Sequence, residues 1–182
     1  ELKITKEWAM PNSETFTIPP IARFVRKWLF RGAVSVDPFA RNNRWATYTN
    51  DLNPDTKAEY HIEALCFMEM LKEKGVRADI VLFDPPYSPR QVSECYSQVG
   101  RKATALDTSA KSRGDWKNAI AKIVRPGGIV LSFGWNSSGI GIKNGFRQVE
   151  ILMVCHGGSH NDTICVAEIK NEKEGELFTE LN

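Results

Sequence analysis

The residues best placed to do chemistry stand in the stretch IVLFDPPYSPR, residues 80–90. Its four apolar residues are typical of a buried strand, and a strand cannot continue through Pro85 and Pro86 because each proline lacks the N–H that a sheet ladder needs. The strand therefore ends by presenting Asp84 and Tyr87 on a stiffened turn. A carboxylate at that place can accept hydrogen bonds, and an aromatic ring can stack on a flat ligand.

Two further acids follow predicted strands. The stretch AVSVDPF, residues 33–39, contains Asp37, and the stretch WATYTNDLNP, residues 45–54, contains Asp51. Strands that alternate with helices form mainly parallel sheets with helices on both faces. The carboxyl ends of such strands lie at one edge, where these sheets bind ligands. We therefore expect Asp37, Asp51 and Asp84 to line one edge of a sheet.

Hydrophobic periodicity predicts the elements that position these acids. A helix is predicted after TFTIPPI, residues 15–21, where Thr17 can cap it and the prolines suit its first turn. The same spacing predicts helices over residues 65–71, 92–99 and 115–124, with a polar loop over residues 100–114. Further strands are predicted at residues 79–83, 129–135, 147–156 and 163–170, with a short one near Tyr60.

The last two strands have no helix between them, which predicts an antiparallel hairpin at the end of the chain. A doubly wound, mainly parallel α/β sheet with a reversed final strand resembles the Rossmann-like fold of class I methyltransferases. A chain of 182 residues fits a single domain. We assign residues 14–170 to the core of this domain and residues 171–182 to an acidic tail.

The DPPY motif resembles the catalytic motif of amino-methyltransferases, which transfer a methyl group from S-adenosylmethionine to exocyclic nitrogens. The resemblance implies that the Asp84 side chain and the Pro85 carbonyl accept hydrogen bonds from the target amine, and that Pro86 helps to stiffen the turn. Tyr87 would then stack on a base that has left the duplex. A variant with Ser in place of Asp is associated with cytosine N4, so Asp84 favours adenine N6 in DNA.

Other stretches resemble the cofactor motifs of the same family. VDPFARNN is similar to the motif that holds the methionine part, although Ala40, Arg41 and Asn42 replace its glycine-rich turn. NDLNP is similar to the motif whose acid bonds ribose hydroxyls, YHIEAL to the motif near the cofactor adenine, and TFTIPPI to the motif that packs over the methionine end. The resemblance therefore implies an S-adenosylmethionine site made of Phe16, Thr17, Ile18, Pro20, Asp37, Pro38, Phe39, Ala40, Asp51, Leu52, Glu63, Ala64 and Asp84.

Basic residues follow the DPPY motif. Between Arg90 and Arg125 there are eight Lys or Arg against three Asp or Glu, which favours a polyanionic partner. We predict that residues 89–114 contact DNA, and RNA is an alternative. Phosphate contacts orient a protein without reading sequence. The residues assigned to this contact are Ser88, Arg90, Arg101, Lys102, Lys111 and Arg113.

Composition narrows the class of protein. Hydrophobic residues make up 42% of the chain and charged residues 25%, as in ordinary soluble domains. No apolar run nears the twenty or so residues that cross a bilayer, and no signal-peptide pattern is present. The four cysteines lack CxxC spacing, which favours reduced thiols and a cytoplasmic location. We interpret the histidines of residues 155–162 as polar surface, with no metal site, and the glycines of residues 138–145 as a flexible loop.

Members of this family with strict sites commonly carry a large target-recognition domain, and the motifs leave little room for one here. We therefore expect a compact enzyme, of restriction-modification or phage type, with short or relaxed specificity or with a specificity partner. Four alternatives stay open: methylation of adenine in RNA, of cytosine N4 or of a protein amide, and an inactive nucleic-acid-binding subunit. The recognition sequence and the oligomeric state also stay open.

Overall fold

The computed structural model describes residues 1–104 and 110–172, with the side chains of residues 110–112 left aside. Two short 3₁₀ turns, Thr15–Thr17 and Ile142–Asn144, join longer elements. In chain order these elements are β1 (Lys3–Trp8), α1 (Pro19–Trp28), β2 (Ser35–Asp37), β3 (Tyr48–Thr49), α2 (Ala64–Glu73), β4 (Ala78–Phe83), α3 (Pro89–Gln98), α4 (Ala110–Ile123), β5 (Val124–Gly134), β6 (Phe146–Cys155) and β7 (Thr163–Lys170).

The strands of the described residues form one sheet in the order β1-β6-β7-β5-β4-β2-β3. All neighbouring pairs are parallel except those of β7, which runs antiparallel to both β5 and β6. The predicted fold class, with its closing antiparallel hairpin, is therefore confirmed. The short strand expected near Tyr60 is reduced to an isolated bridge between Asn50 and Tyr60.

Helices cover both faces of the sheet. The apolar side of α1, including Ile21 and Val25, packs on one face. On the other face α2 and α4 lie together, and they bury Phe67, Leu71 and Ile120. Each such side chain contributes roughly 1.5–3 kcal/mol when it leaves water. None of the described helices has the length and apolarity that would let it cross a membrane.

The start of α1 differs from the prediction in its cap. Pro19 and Pro20 occupy the first helical positions, as predicted, because a proline at the start of a helix lacks only an N–H that has no helical partner. The residue before the helix is Ile18, so the prediction that Thr17 caps it is wrong. The Thr17 hydroxyl instead donates to the Glu14 carbonyl at 2.7 Å.

Three further boundaries differ from the prediction. Strand β1 is not predicted by the sequence pattern, and it lies at the sheet edge with most of its side chains exposed. Helix α4 begins at Ala110, so part of the stretch predicted as a loop is helical. Strand β5 begins at Val124, so it includes the RPGG sequence of residues 125–128, which lies between the predicted helix and the predicted strand. The proline and glycines are tolerated in this strand because β5 is bulged against β4 at that end.

Candidate active site at the carboxyl edge of the sheet

The three acids lie at the carboxyl edge of parallel strands. Asp37 ends β2, Asp51 follows the residue that bridges to Tyr60, and Asp84 follows β4. Asp37 is fully buried, and its two carboxylate oxygens accept hydrogen bonds from the Phe39 N–H at 3.0 Å and from the Asn43 side-chain amide at 3.1 Å. Burial, helped by the nearby charges of Asp84 and Asp51, raises the pKa of Asp37 to about 7, although the hydrogen bonds from Phe39 and Asn43 act in the opposite direction.

Asp51 holds the turn that follows β2. Its carboxylate accepts the Arg41 N–H at 3.1 Å and the Asn53 N–H at 2.9 Å. Arg41 has a φ of +51°, in the left-handed region that costs a non-glycine residue about 1–2 kcal/mol. Its guanidinium donates to the Ser13 carbonyl at 2.7 Å. The turn is therefore made here by a strained arginine that is held at both ends, where the motif that VDPFARNN resembles has glycines.

Asp84 and Tyr87 form a hydrogen-bonded pair. Both side chains are half-buried, and the Tyr87 hydroxyl donates to Asp84 Oδ1. Burial raises the pKa of Asp84, while hydrogen bonds from Tyr87 and Thr15 act in the opposite direction. Burial and the Asp84 carboxylate together raise the pKa of Tyr87. In this hydrogen bond the Tyr87 hydroxyl is the donor and the Asp84 side chain is the acceptor.

The DPPY turn is fixed by its neighbours, with Pro85 and Pro86 half-buried in it. The Tyr87 N–H donates to Gln91 Oε1 at 2.6 Å, and the Tyr87 carbonyl accepts from Arg113 Nη2 at 2.5 Å. Ser88 caps α3, because its hydroxyl accepts the Gln91 N–H at 3.3 Å. These contacts hold the turn from both sides.

Two pockets lie on either side of the Asp84–Tyr87 pair. The first has a volume of about 400 Å³ and is lined by Asp84 and by several residues of the predicted cofactor set. The second has a volume of about 310 Å³ and is lined by Tyr87, Trp135 and His160. Thr15 lines both pockets. The arrangement therefore places an acid, a hydroxyl and an aromatic ring at the junction of two cavities.

The predicted cofactor residues do not all line one pocket. Phe16, Thr17, Phe39, Ala40 and Asp84 line the first pocket. Ile18 lines the second pocket, while Pro20 and Pro38 are buried. Asp37 ends β2, and Asp51 and Leu52 lie in the segment after β3. Glu63 directly precedes α2, and Ala64 is the first residue of that helix.

Several of the predicted phosphate-binding residues contact other groups of the protein. Arg90 pairs with Glu94 at 2.8 Å, and Arg101 lies 3.6 Å from Glu63, which also accepts the Tyr96 hydroxyl at 3.0 Å. Lys102 is exposed, and the Lys111 side chain lies outside the described part of the chain. Arg113 binds the DPPY turn, and Ser88 belongs to it. The residues are spread over α3, α4 and the segment between them and do not form one continuous loop.

His156 is buried, so its interpretation as polar surface is wrong. Its Nδ1 lies 2.8 Å from the Ala9 carbonyl and its Nε2 lies 2.8 Å from the Thr163 hydroxyl, so it joins β1 to the hairpin. His160 is exposed. Among residues 1–104 and 110–172, no group of three or more His, Cys, Asp or Glu side chains is placed to hold a metal ion.

Sequence reasoning missed three residues of this site. Thr15 lines both pockets, Arg41 shapes the cofactor turn, and Trp135 faces Tyr87 with ring centroids 5.8 Å apart. Trp135 gave a usable signal, because it is the last residue of a predicted strand and so lies at the carboxyl edge of the sheet. Thr15 and Arg41 gave none, since their roles depend on contacts between distant segments.

The fold is shared with solved methyltransferase structures. TrmN from Thermus thermophilus superposes with a TM-score of 0.53 at 15% identity, over 84% of this chain and 49% of that chain. NSun6 from Pyrococcus horikoshii with SFG gives 0.50 at 14% identity, over 79% and 49%. A SAM-dependent methyltransferase from Agrobacterium tumefaciens gives 0.50 at 12% identity, over 84% and 63%.

The chain has the class I methyltransferase fold. No protein-family model and no curated protein sequence matches it. The chain spans between about half and two thirds of the length of these three structures. At these identities the likeness concerns the fold alone, since one fold can support many kinds of chemistry.

Proposed function

We propose that the chain is an S-adenosylmethionine-dependent methyltransferase that acts on the N6 amino group of adenine in DNA. The observation that carries the proposal is the position of Asp84 and Tyr87 between two pockets at the carboxyl edge of the sheet. Group transfer requires two ligands held with their reacting atoms close together. Two cavities that meet at an acid and an aromatic ring suit that requirement.

The residues around the first pocket fit S-adenosylmethionine, which supplies an electrophilic methyl group when bound. A carboxylate has about four acceptor positions. Asp51 uses two of them for backbone N–H groups, so it can still accept hydrogen bonds from ribose hydroxyls. The pocket combines the rings of Phe16 and Phe39 with the charges of Arg41 and Asp84, which suits a ligand with both a hydrocarbon chain and charged groups.

Asp84 supplies the acceptor that an adenine amine needs. The lone pair of that nitrogen is delocalised into the ring, so the amine is a poor nucleophile. Acceptors on its two hydrogens, the Asp84 carboxylate and the Pro85 carbonyl, would favour a nitrogen with an available lone pair. Asp84 already accepts the Tyr87 hydroxyl. The incoming amine therefore replaces an existing hydrogen bond, and no bare carboxylate has to be desolvated.

The second pocket suits the target base. Its volume of about 310 Å³ lies within the range of small-molecule sites. Tyr87 and Trp135 give it aromatic surface on which a base taken out of the stack could lie. We further propose short or relaxed sequence specificity, or a separate specificity partner.

Purified protein incubated with labelled S-adenosylmethionine and with separate DNA, RNA and protein substrates tests the proposal. We expect label in DNA, identified as N6-methyladenine by nucleoside mass spectrometry. Asp84→Ala is expected to lower turnover by roughly 10²–10³-fold, by analogy with the loss of one oxyanion-hole donor. Label found in RNA, in cytosine or in protein would replace the proposed substrate. Transfer to DNA that survives Asp84→Ala would remove this residue from the mechanism.

A further inference from the structure

Strand β1 forms one edge of the described sheet and pairs with β6 on its inner side. The side chains on one of its faces are exposed, and all of them except Lys6 are apolar. Ile4 is 61% exposed and Trp8 is 65% exposed, and Leu2 and Met10 extend this apolar stripe at its two ends. The side chains on the other face are Lys3, Thr5 and Glu7. An exposed edge strand with apolar side chains is a template for pairing with another strand.

The outer edge of β1 offers backbone hydrogen bonds at alternate residues. The Ala9 N–H donates to the Cys155 carbonyl of β6 at 3.1 Å. In a parallel ladder, residues of the same parity bond to the same neighbour. The N–H and C=O groups of Lys3, Thr5 and Glu7 therefore point toward β6. Those of Ile4 and Lys6 point away from the sheet.

We infer that β1 pairs antiparallel with β1 of a second copy of this chain, about a two-fold axis that passes between the two Thr5 residues. Residues directly opposite each other in an antiparallel pair share one face of the sheet. A symmetric pair can therefore be centred only on two copies of the same residue. With Thr5 at the centre, Lys3 of each copy lies opposite Glu7 of the other, and Leu2 lies opposite Trp8.

Charge selects this register over its neighbours. A pair centred on Lys6 would place two lysines opposite each other, and a pair centred on Ile4 would place Glu1 opposite Glu7. Like charges in directly opposite positions are destabilising. The Thr5-centred register alone among these three gives two pairs of opposite charge, and the apolar stripes of the two copies then share one face.

The contacts of these side chains within one chain leave them able to pair. Lys3 is 3.8 Å from Glu150, a long contact, and Glu150 already accepts hydrogen bonds from Lys27 at 2.6 Å and Trp28 at 3.0 Å. Glu7 forms an ion pair with Arg23, and its side chain stays partly exposed.

The interface made by a single edge strand buries little area, and small interfaces are transient. The pairing is therefore best captured covalently.

Cysteine crosslinking tests the register. Thr5 and its copy form a non-hydrogen-bonded pair with Cα atoms about 4.5 Å apart, within the range that a disulfide spans. We expect Thr5→Cys, in a Cys66→Ser background that removes the exposed native thiol, to give disulfide-linked dimers under mild oxidation. Lys3→Cys is the matched control, because its two copies would lie four residues apart, about 13 Å. Peptide mass spectrometry identifies the linked residues.

Folded Thr5→Cys protein that stays monomeric, or that crosslinks no faster than Lys3→Cys, would overturn the inference. If Thr5→Cys does not fold, Lys3→Cys combined with Glu7→Cys in one chain serves instead, since these positions also lie opposite each other. Dimers linked between positions 3 and 7 support the register, and monomers contradict it.

A charge exchange separates a specific register from chance collision. In the Thr5→Cys background, Lys3→Glu is expected to slow crosslinking roughly two- to thirtyfold, the effect of removing two cross-strand pairs. Adding Glu7→Lys should restore the rate, because the pairs between copies are rebuilt with reversed sign. The contacts with Glu150 and Arg23 inside each chain are not rebuilt. A rate that stays low in the double variant would therefore contradict the inferred pairing.

Discussion

At the scale of single residues, Asp37 differs from the other two acids in its complete burial. Its pKa is about 7, raised from 3.8 mainly by desolvation. At a pH between 3.8 and about 7, the Asp37 carboxyl group is ionised in the unfolded chain but protonated in the folded chain. The contribution of Asp37 to stability is therefore fully present below about pH 4, and it is lost as the pH rises to about 7.

We predict that Asp37→Asn removes this dependence on pH. The free energy of unfolding of the variant, relative to that of the wild type, should rise by a few kcal/mol between about pH 4 and pH 8. Urea titrations at several pH values measure it. The change with pH is the quantity to compare, because the amide also disturbs the hydrogen bonds from Phe39 and Asn43 at every pH. If the free energy of unfolding changes with pH in the same way for the two proteins, Asp37 is ionised in the folded state.

Asp51 gives a second prediction at this scale. Asp51→Ala removes the proposed acceptor of the ribose hydroxyls and also frees the Arg41 and Asn53 N–H groups. We expect S-adenosylmethionine affinity to fall by about 1.5–3 kcal/mol, as for a hydrogen bond to a charged group. Isothermal titration measures it, with Asp55→Ala as the control because Asp55 is an exposed acid four residues away. Equal affinities of the two variants would exclude Asp51 from the cofactor site.

At the scale of elements, the loop after β5 is anchored although its glycines predicted a flexible segment. Glu168 of β7 is fully buried, and its carboxylate accepts the Ile140 N–H at 2.5 Å and the Gly141 N–H at 3.0 Å. Gly139 has a φ of +51°, and a Cβ there would overlap the Glu168 carboxylate. The loop therefore requires glycine for both its backbone and its packing.

We predict that Gly139→Ala destabilises the fold by about 3 kcal/mol or more, because overlap with a buried carboxylate adds to backbone strain. Gly114→Ala is the matched control. Gly114 lies in α4 with open space around it, so alanine there should stabilise by about 0.5–1 kcal/mol. Thermal and urea unfolding compare the two variants. A Gly139→Ala protein as stable as the wild type would mean that the loop is loosely held.

The buried strands of the sheet could be predicted because buried strands have runs of apolar residues in their sequence. The strands that carry the site, including β4 with its continuous apolar run, follow from the apolar pattern and the turn residues. Strand β1 does not, because its apolar side chains face solvent and its pattern has no buried partner. The Arg113 contact with Tyr87 could not be predicted for another reason, since it joins residues 26 positions apart and leaves no local signal.

At the scale of the whole molecule, charge around the site gives a prediction about DNA. Lys102 is exposed, and the Arg101 side chain forms a 3.6 Å ion pair with Glu63. If these residues meet phosphates, Arg101→Ala/Lys102→Ala should reduce the slope of log affinity against log salt by roughly 0.7–0.9 for each phosphate that is no longer neutralised. Sequence preference should survive, because such residues position the protein without reading bases.

Binding titrations at several salt concentrations measure the slope. Lys72→Ala is the control, because Lys72 is an exposed residue in the last turn of α2, at the edge of the sheet opposite the three acids. Identical slopes for the double variant and the wild type would leave this segment without a role in DNA binding. The same reduction in Lys72→Ala would indicate that only net charge matters.

The reversed direction of β7 has a practical consequence for fusion proteins. Because β1 runs parallel to β6 and β7 runs against it, Lys3 and Lys170 both lie at the amino edge of the sheet. The Lys170 ammonium donates there to the Ala121 and Val124 carbonyls. A tag or reporter domain joined near either strand end would leave from the side opposite the pockets. It could be attached to a surface or a carrier with the pocket mouths turned outward.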